Sequence, residues 1–426
     1  MSEPTLLQTI KLWAKIGFLS FGGPAGQIAL MHRELVEKRD WLSEQQFLNA
    51  LNFCMLLPGP EAMQLATYAG WKSHGEKGGL IAGLLFIIPG ALVILALSLV
   101  YSIYGKVPLV EAAFLGIKAA VLAIVLEALI KVSKRASKTP NFLWIAAAAF
   151  IALFFFAIPF PIIIIAAALI GLVQSKLYPN KEKVQTISAE SFSITWQQTA
   201  MTVLKWLFIW LAPLAILIAF YGSSDLMVSI GLFFSKLAVV TFGGAYAVLA
   251  YMSQQAVENF GWLSAAQMVD GLGLAETTPG PLILVNQFVG FHAGLTNGFG
   301  GAIAASMIVL WVTFAPCFLW IFAGAPYIEK LGSMPRVSSA LGAITAAVVG
   351  VIANLSVWFA LHVLFSEVGQ KSIGFANFAL PEWSSINIVA LVLAILAGVL
   401  LLKLHWGLFK VLGLCAALGI AASFVF

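Results

Sequence analysis

Phe21-Gly22-Gly23-Pro24, followed by Trp41-Leu42-Ser43, Gln46 and Leu57-Pro58-Gly59-Pro60, decides the fold, because the chain writes this series twice. Phe242-Gly243-Gly244, Trp262-Leu263-Ser264, Gln267 and Pro279-Gly280-Pro281 repeat it in the same order at a constant offset of 221 residues. The same offset pairs Lys15 with Lys236, Met31 with Met252 and Glu37 with Glu258. So many separated matches at one offset mark an internal duplication. What is duplicated is a set of Gly/Pro breaks inside apolar helical sequence. In a membrane, interrupted segments at matching positions of two halves point to a transporter binding site.

Composition sets the class. The 426 residues are 61% hydrophobic and only 10% charged, against about 25% charged in a soluble domain. Apolar runs of about 20 residues recur, the length that crosses a hydrocarbon core of roughly 30 Å. The chain is therefore expected to be an all-α polytopic membrane protein. Residues 1–15 lack a basic stretch followed by a small-residue cleavage site, so no removable signal peptide is expected. The net charge of +5 is spread over short loops, a positive-inside bias and not a nucleic-acid footprint. Cys54, Cys317 and Cys415 stand singly in apolar sequence and are read as small buried hydrophobes. His74, His292, His362 and His405 show no ligand spacing, so no metal or other cofactor is expected.

Each half reads as the same series. The first has a helical pair over 5–38 broken at Phe21–Pro24, and a second over 44–72 broken at Pro58–Pro60. Long spans follow at 78–104 and 109–131, then a stretch over 142–175 interrupted at Pro159-Phe160-Pro161. The second half repeats this at 226–258, 263–293, 297–326, 336–363 and 386–426, the last interrupted around Lys403–Trp406. The domains are accordingly a first repeat over 1–175, a polar linker plus one extra apolar span over 176–222, and a second repeat over 223–426. One added crossing between two even-numbered repeats inverts the second relative to the first.

Basic residues orient the scheme. Lys131, Lys134, Arg135 and Lys138 flank one end of the 142–175 hairpin, and Lys176, Lys181 and Lys183 the other, so both ends face the cytoplasm. Counting outward, the N-terminus is cytoplasmic and the C-terminus external, in the cytoplasmic membrane of the cell. The 364–385 loop, with Glu367 and Glu382 against Lys371, comes out external. The Arg33–Asp40 loop is basic while its counterpart at Gln254–Gly261 is not, which favours broken hairpins that re-enter on their own side.

A broken helix in a bilayer exposes backbone N–H and C=O groups that are tolerable only inside protein or along a water-filled cavity. Gly22, Gly23, Gly26, Gly243 and Gly244 permit unusual angles and close approach, and Pro24 suits the first turn of a following helix. Gly59-Pro60 and Gly280-Pro281 make the same break-then-helix arrangement. Each new helix start aims its N–H groups and positive dipole end into the gap, which favours an anion. Lys15 and Lys236, six residues before each Phe-Gly-Gly, would draw an anion inward, and Gln64, Thr278 and Asn286 would supply neutral hydrogen bonds. Ionisable residues within membrane segments are functional candidates by default. Glu61, beside the first PGP, Glu276, shortly before the second, and Asp270, which aligns with Asn49, are candidates for proton coupling. Lys118 and Glu127 read as interfacial anchoring and local pairing. No Ser-His or clustered His/Asp/Glu arrangement suggests an enzyme.

Phe21-Gly22-Gly23-Pro24, the Trp41-Leu42-Ser43 turn and Leu57-Pro58-Gly59-Pro60, each echoed in the second half, resemble the chromate ion transporter family of prokaryotes in its fused two-domain form. The resemblance covers nearly the whole chain. It implies export of chromate across the cytoplasmic membrane, driven by membrane potential or proton gradient, with competition by isosteric sulfate. Departures lie in the second half, where Ala245 replaces Pro24, Leu282 replaces Glu61 and the Arg33–Asp40 charges become mostly neutral. A strictly symmetric site is not expected. The partners are then a small oxyanion, the bilayer and a second copy in a homodimer, with no nucleic acid. The alternatives are a passive anion channel on the same half-helix ends and a carrier of sulfate or another oxyanion.

Overall fold

The computed structural model describes residues 4–21, 23–177, 195–242, 245–328, 335–374 and 376–425. Gly22, Gly243, Gly244 and most of the polar linker lie outside them. The helices, in chain order, are α1 Leu6–Leu19, α2 Gly23–His32, α3 Glu44–Leu56, α4 Glu61–Tyr104, α5 Pro108–Ala136, α6 Phe142–Phe156, α7 Phe160–Leu177 and α8 Trp196–Tyr221. They continue with α9 Leu226–Val240, α10 Ala245–Gln254, α11 Ala265–Glu276, α12 Val285–Gly294, α13 Gly298–Gly324, α14 Pro335–Leu364, α15 Ile388–Gly398 and α16 Leu408–Ala422. Five segments are long and apolar enough to cross a membrane: Glu61–Tyr104, Pro108–Lys134, Trp196–Tyr221, Leu282–Tyr327 and Ser339–Leu364. The chain is an all-α polytopic membrane protein, and the extra span between the halves is α8.

The duplicated motif explains the duplicated elements. Ser43 caps α3 by accepting from the Gln46 N–H while the Gln46 side chain returns to the Ser43 N–H; Ser264 and Gln267 do the same for α11. This reciprocal capping box satisfies two otherwise orphaned donors. The preceding tryptophans close the connection: the Trp41 N–H donates to the Leu35 carbonyl and the Trp262 N–H to that of Ala256, each at 2.8 Å. Both connections also contain a π-helical turn, Arg33–Glu37 and Gln255–Asn259. The helices flanking the breaks are short. At 1.5 Å per residue the 14 residues of α1 reach about 21 Å, less than the roughly 30 Å of a bilayer core.

The chain forms two compact units, each drawing on both sequence halves. The first takes 1–96, 178–245 and 278–338. In it α8, α9 and α12 pack on α13, with Trp206 stacked on Phe318 at 5.5 Å between ring centroids. Helix α4 leaves helical geometry at His74 and Gly75 (φ +59°). The chain folds back there, so Gly70 lies against the Gly78 carbonyl and the Ala82 side chain. A side chain at Gly70 or Gly78 would hold the two arms apart. The arms 61–73 and 76–104 thus form a hairpin, as α12 and α13 do in the second half.

The second unit takes 97–177, 246–277 and 339–426. Helix α5 is its centre, contacted by α11, α15 and α16. Gly116 lies against the Cys415 carbonyl, which no larger residue would allow. The Ser339 hydroxyl donates to the Gly171 carbonyl at 2.7 Å. The 364–385 segment, read from sequence as a plain loop, carries a two-stranded antiparallel hairpin, β1 Val368–Ile373 and β2 Ala376–Pro381, in register from Val368↔Pro381 to Ile373↔Ala376. Gly374 turns it at φ +61°, and Phe378 packs on Phe154 and Phe155.

Candidate functional site

Helices α1 and α9 end in the same way, one residue before each Phe-Gly-Gly. Ser20 has φ −79° and ψ 66°, and Thr241 has φ −76° and ψ 81°. The Phe21 N–H reaches back to the Leu19 carbonyl at 2.9 Å and the Phe242 N–H to that of Val240 at 3.0 Å. Each break is therefore an inverse γ-turn. The Ser20 hydroxyl donates to the Ile16 carbonyl at 2.6 Å and the Thr241 hydroxyl to that of Leu237 at 2.5 Å, so each side chain satisfies a carbonyl of its own last turn.

The breaks then pair crosswise between halves, inside the first compact unit. The Gly280 N–H donates to the Ser20 carbonyl and the Gly59 N–H to the Thr241 carbonyl, both at 2.8 Å. The offset of 221 exchanges these two bonds. Gly59 (φ +119°) and Gly280 (φ +85°) both occupy the left-handed side of the map, which a Cβ penalises. Two glutamines clamp the pairs. Gln27 Nε2 donates to the Gly280 carbonyl at 2.6 Å and the Ser20 carbonyl at 3.2 Å. Gln64 Nε2 donates to the Pro58 carbonyl at 2.7 Å. Carbonyl acceptors fix which end of each amide is the nitrogen.

Several polar side-chain atoms of this unit are buried without protein partners: Gln27 Oε1 and Gln64 Oε1 at the pairs themselves, both side-chain polar atoms of Asn286 on α12, and the Thr313 hydroxyl on α13. Asn286, 1% exposed, lies in the first turn of α12 just past the PGP break. A buried amide with no hydrogen bond costs roughly 1–3 kcal/mol, so such a group implies a ligand or ordered water. Thr313 lies one turn before Cys317, whose Sγ would be 2.9 Å from a Cβ at Gly59. The first turn of α4, opening at Glu61, presents its amides beside the same break.

Among the other residues singled out in the sequence, Pro24 occupies the second position of α2, and a Cβ at Gly26 would lie 2.9 Å from the Phe21 carbonyl oxygen. Pro60, Thr278 and Pro281 are buried at the breaks. Gly22, Gly243 and Gly244 fall outside the described residues. Lys15 forms an ion pair at 3.0 Å with Glu34, while Lys236 is exposed on α9. Glu34, 1% exposed on the π-turn after α2 and outside the five long spans, is also held by Lys38 at 3.0 Å and by Arg39. Its burial alone would raise the carboxyl, but the three cations bring it down to about 2.

Asp270 and Glu276 belong to the second unit, on α11. The Tyr246 hydroxyl donates to Glu276 Oε1 at 3.0 Å, and the Tyr101 hydroxyl to Asp270 Oδ2 at 2.7 Å. Lys118 pairs with Asp270 at 3.1 Å, and Glu127 pairs with Lys131 at 2.7 Å, so the expected local pairing of Lys118 with Glu127 is replaced by a contact between helices. Nine residues separate Lys118 from Glu127, two and a half turns, which puts them on opposite helix faces. Sequence reasoning also missed Ser20, Thr241, Gln27 and Glu34. The first two were visible as hydroxyl residues matched at the 221 offset.

The family description "Chromate transporter" matches residues 7–172 and 228–420, both halves of the chain. A chromate transport protein of Pseudomonas aeruginosa is 32% identical over 92% of this chain and 91% of its own. A probable chromate transport protein of Synechococcus elongatus is 31% identical over 82% and 83%. A chromate transport protein of Cupriavidus metallidurans is 29% identical over 82% and 81%. No solved structure matches. With the match running through both halves and the paired breaks inside each matched region, the chain belongs to the chromate transporter family, a family of membrane transporters and not of enzymes.

Proposed function

We propose that this protein is a secondary active transporter that exports chromate, with sulfate or a related tetrahedral oxyanion as competing cargo, across the cytoplasmic membrane. The observation that carries this reading is the crosswise pairing of the breaks around buried, unpartnered amides. Because Gly59 and Gly280 spend their N–H groups on the opposite break, the anion's donors are the opening amides of α4, Asn286 Nδ2 and the Thr313 hydroxyl, with the glycine turns holding them in place. Dipole ends of half-helices favour the negative charge. The transport names of the relatives support chromate as the cargo.

The two halves are inverted repeats of re-entrant hairpins, with the N-terminus cytoplasmic and the C-terminus external. Odd parity and the basic flanks of the α6–α7 hairpin support this orientation. Uptake of labelled chromate and labelled sulfate into everted vesicles, with and without an imposed gradient, tests the function. Gradient-driven chromate accumulation, reduced by sulfate and lost in Asn286→Leu, is the expected result. Equilibration to the electrochemical potential of chromate with no response to a proton gradient identifies a channel instead. Reporter fusions that put both termini on one side refute the inverted arrangement.

A further inference from the structure

Lys118, Asp270 and Tyr101 form a charged cluster inside the second compact unit that the anion site does not use. Lys118 Nζ lies 3.1 Å from Asp270 Oδ1, with side chains only 18% and 8% exposed. The Tyr101 hydroxyl donates to the other carboxylate oxygen at 2.7 Å. Lys118 is ten residues into the span that starts at Pro108, about 15 Å along the helix and near its middle. A charge at that depth is costly unless it has a role, and such residues mark ion pathways.

The duplication supplies an internal control. Asp270 corresponds at the 221 offset to Asn49, a neutral amide. The repeated helix is thus written once with a carboxylate at this position and once with an amide. Apolar replacement of a whole buried ion pair is often neutral or stabilising, so packing alone gives no reason for the pair.

Resting on the transport reading above, we propose that Asp270 is the proton-coupling carboxylate, with Lys118 as its counter-charge and Tyr101 as the hydroxyl that orients it. In the deprotonated state the carboxylate is balanced by the Lys118 ammonium. On taking a proton from water, Asp270 becomes a neutral acid and the ammonium loses its counter-ion; release of that proton to water on the opposite side restores the pair. The other charged group facing Asp270 is Glu111 on α5. Glu276 lies further along α11, occupied by the Tyr246 hydroxyl and facing Glu127 and Lys131. Only Asp270 has both a cation within 4 Å and a hydroxyl donor among these acids in the described residues.

The test uses the purified full chain in liposomes, with labelled chromate, a pH gradient imposed at clamped membrane potential, and chromate/chromate exchange as control. Asp270→Asn and the paired Lys118→Met/Asp270→Asn variant are expected to keep exchange and lose the response to the gradient. Lys118→Met should move the midpoint of the pH profile upward by about 1–3 units, as removal of an adjacent cation does, and Lys118→Arg should restore it. Where charge variants do not insert, Tyr101→Phe removes one hydroxyl, keeps the ring and should also move the midpoint upward. Gradient response surviving in Asp270→Asn or the paired variant, or an unmoved profile in Lys118→Met or Tyr101→Phe, overturns the assignment. Wild-type protein that neither binds nor moves chromate defeats the transport reading, whereas wild type that moves it without any response to the pH gradient defeats this proposal alone.

Discussion

Gln27→Leu isolates the clamp on one pair of breaks. In the wild type the Gln27 amide donates to the Gly280 carbonyl at 2.6 Å and to the Ser20 carbonyl at 3.2 Å, inside a site where Gln27 is 1% exposed. Leucine keeps most of the volume and removes both bonds. The two losses are unequal. The Ser20 carbonyl keeps the Gly280 N–H at 2.8 Å, so it forfeits only the net worth of one bond. The Gly280 carbonyl is left buried without its amide donor and bears the full desolvation penalty. With about 1 kcal/mol for the bond to Ser20 and about 1–3 kcal/mol for the orphaned Gly280 carbonyl, the total is about 2–4 kcal/mol. Denaturant unfolding in detergent reads this directly, and chromate flux in vesicles should fall because the Pro279–Pro281 turn loses its anchor. A Gln27→Leu protein within about 0.5 kcal/mol of wild type, the level of an ordinary surface substitution, and with normal flux, refutes the reasoning.

Three further outcomes are expected. Gly59→Ala should destabilise by about 1–3 kcal/mol or more, because φ is +119° and its Cβ would lie 2.9 Å from both Cys317 Sγ and Gln64 Nε2; Gly280→Ala meets mainly the yielding tip of Leu284 at 3.1 Å and should cost less in the same unfolding measurement. Glu34→Gln leaves Lys15, Lys38 and Arg39 facing one another without their shared carboxylate. With those cations 33–51% exposed, solvent screening limits the loss to about 1–2 kcal/mol, which should shrink at high salt. His32, the half-buried last residue of α2, is raised above 6.5 first by its hydrogen bond to Glu44 and also by Glu37. Its contribution is therefore full below pH 6.5 and is lost as pH rises through the raised value. The stability advantage of wild type over His32→Gln should vanish on the alkaline side, and an advantage that grows with pH would contradict the assignment.

The duplicated breaks, the helix starts at Ser43 and Ser264 and the extra span α8 were legible in the chain, because each is written in local chemistry. A capping box is set by residues three apart, the breaks are marked by glycine and proline, and a span is marked by the length of its apolar run. The cleft of Pro159 and the 403–406 interruption were legible for the same reason. Which groups meet across the fold was not. Nothing local to Gly59 says that its N–H is spent on Thr241, 182 positions away in the chain, or that Gln27 will bridge Ser20 to Gly280. Sequence spacing offers Lys118 only Glu127 of its own helix, and the approach of α11 to α5 supplies Asp270. By itself the sequence determined the elements, their duplication and the membrane as solvent, since periodicity, breaks and hydropathy act over a few turns. The tertiary structure alone decided which donors remain for an anion and which carboxylate has a counter-charge, because hydrogen bonds and ion pairs are satisfied by distance in space and not by distance along the chain.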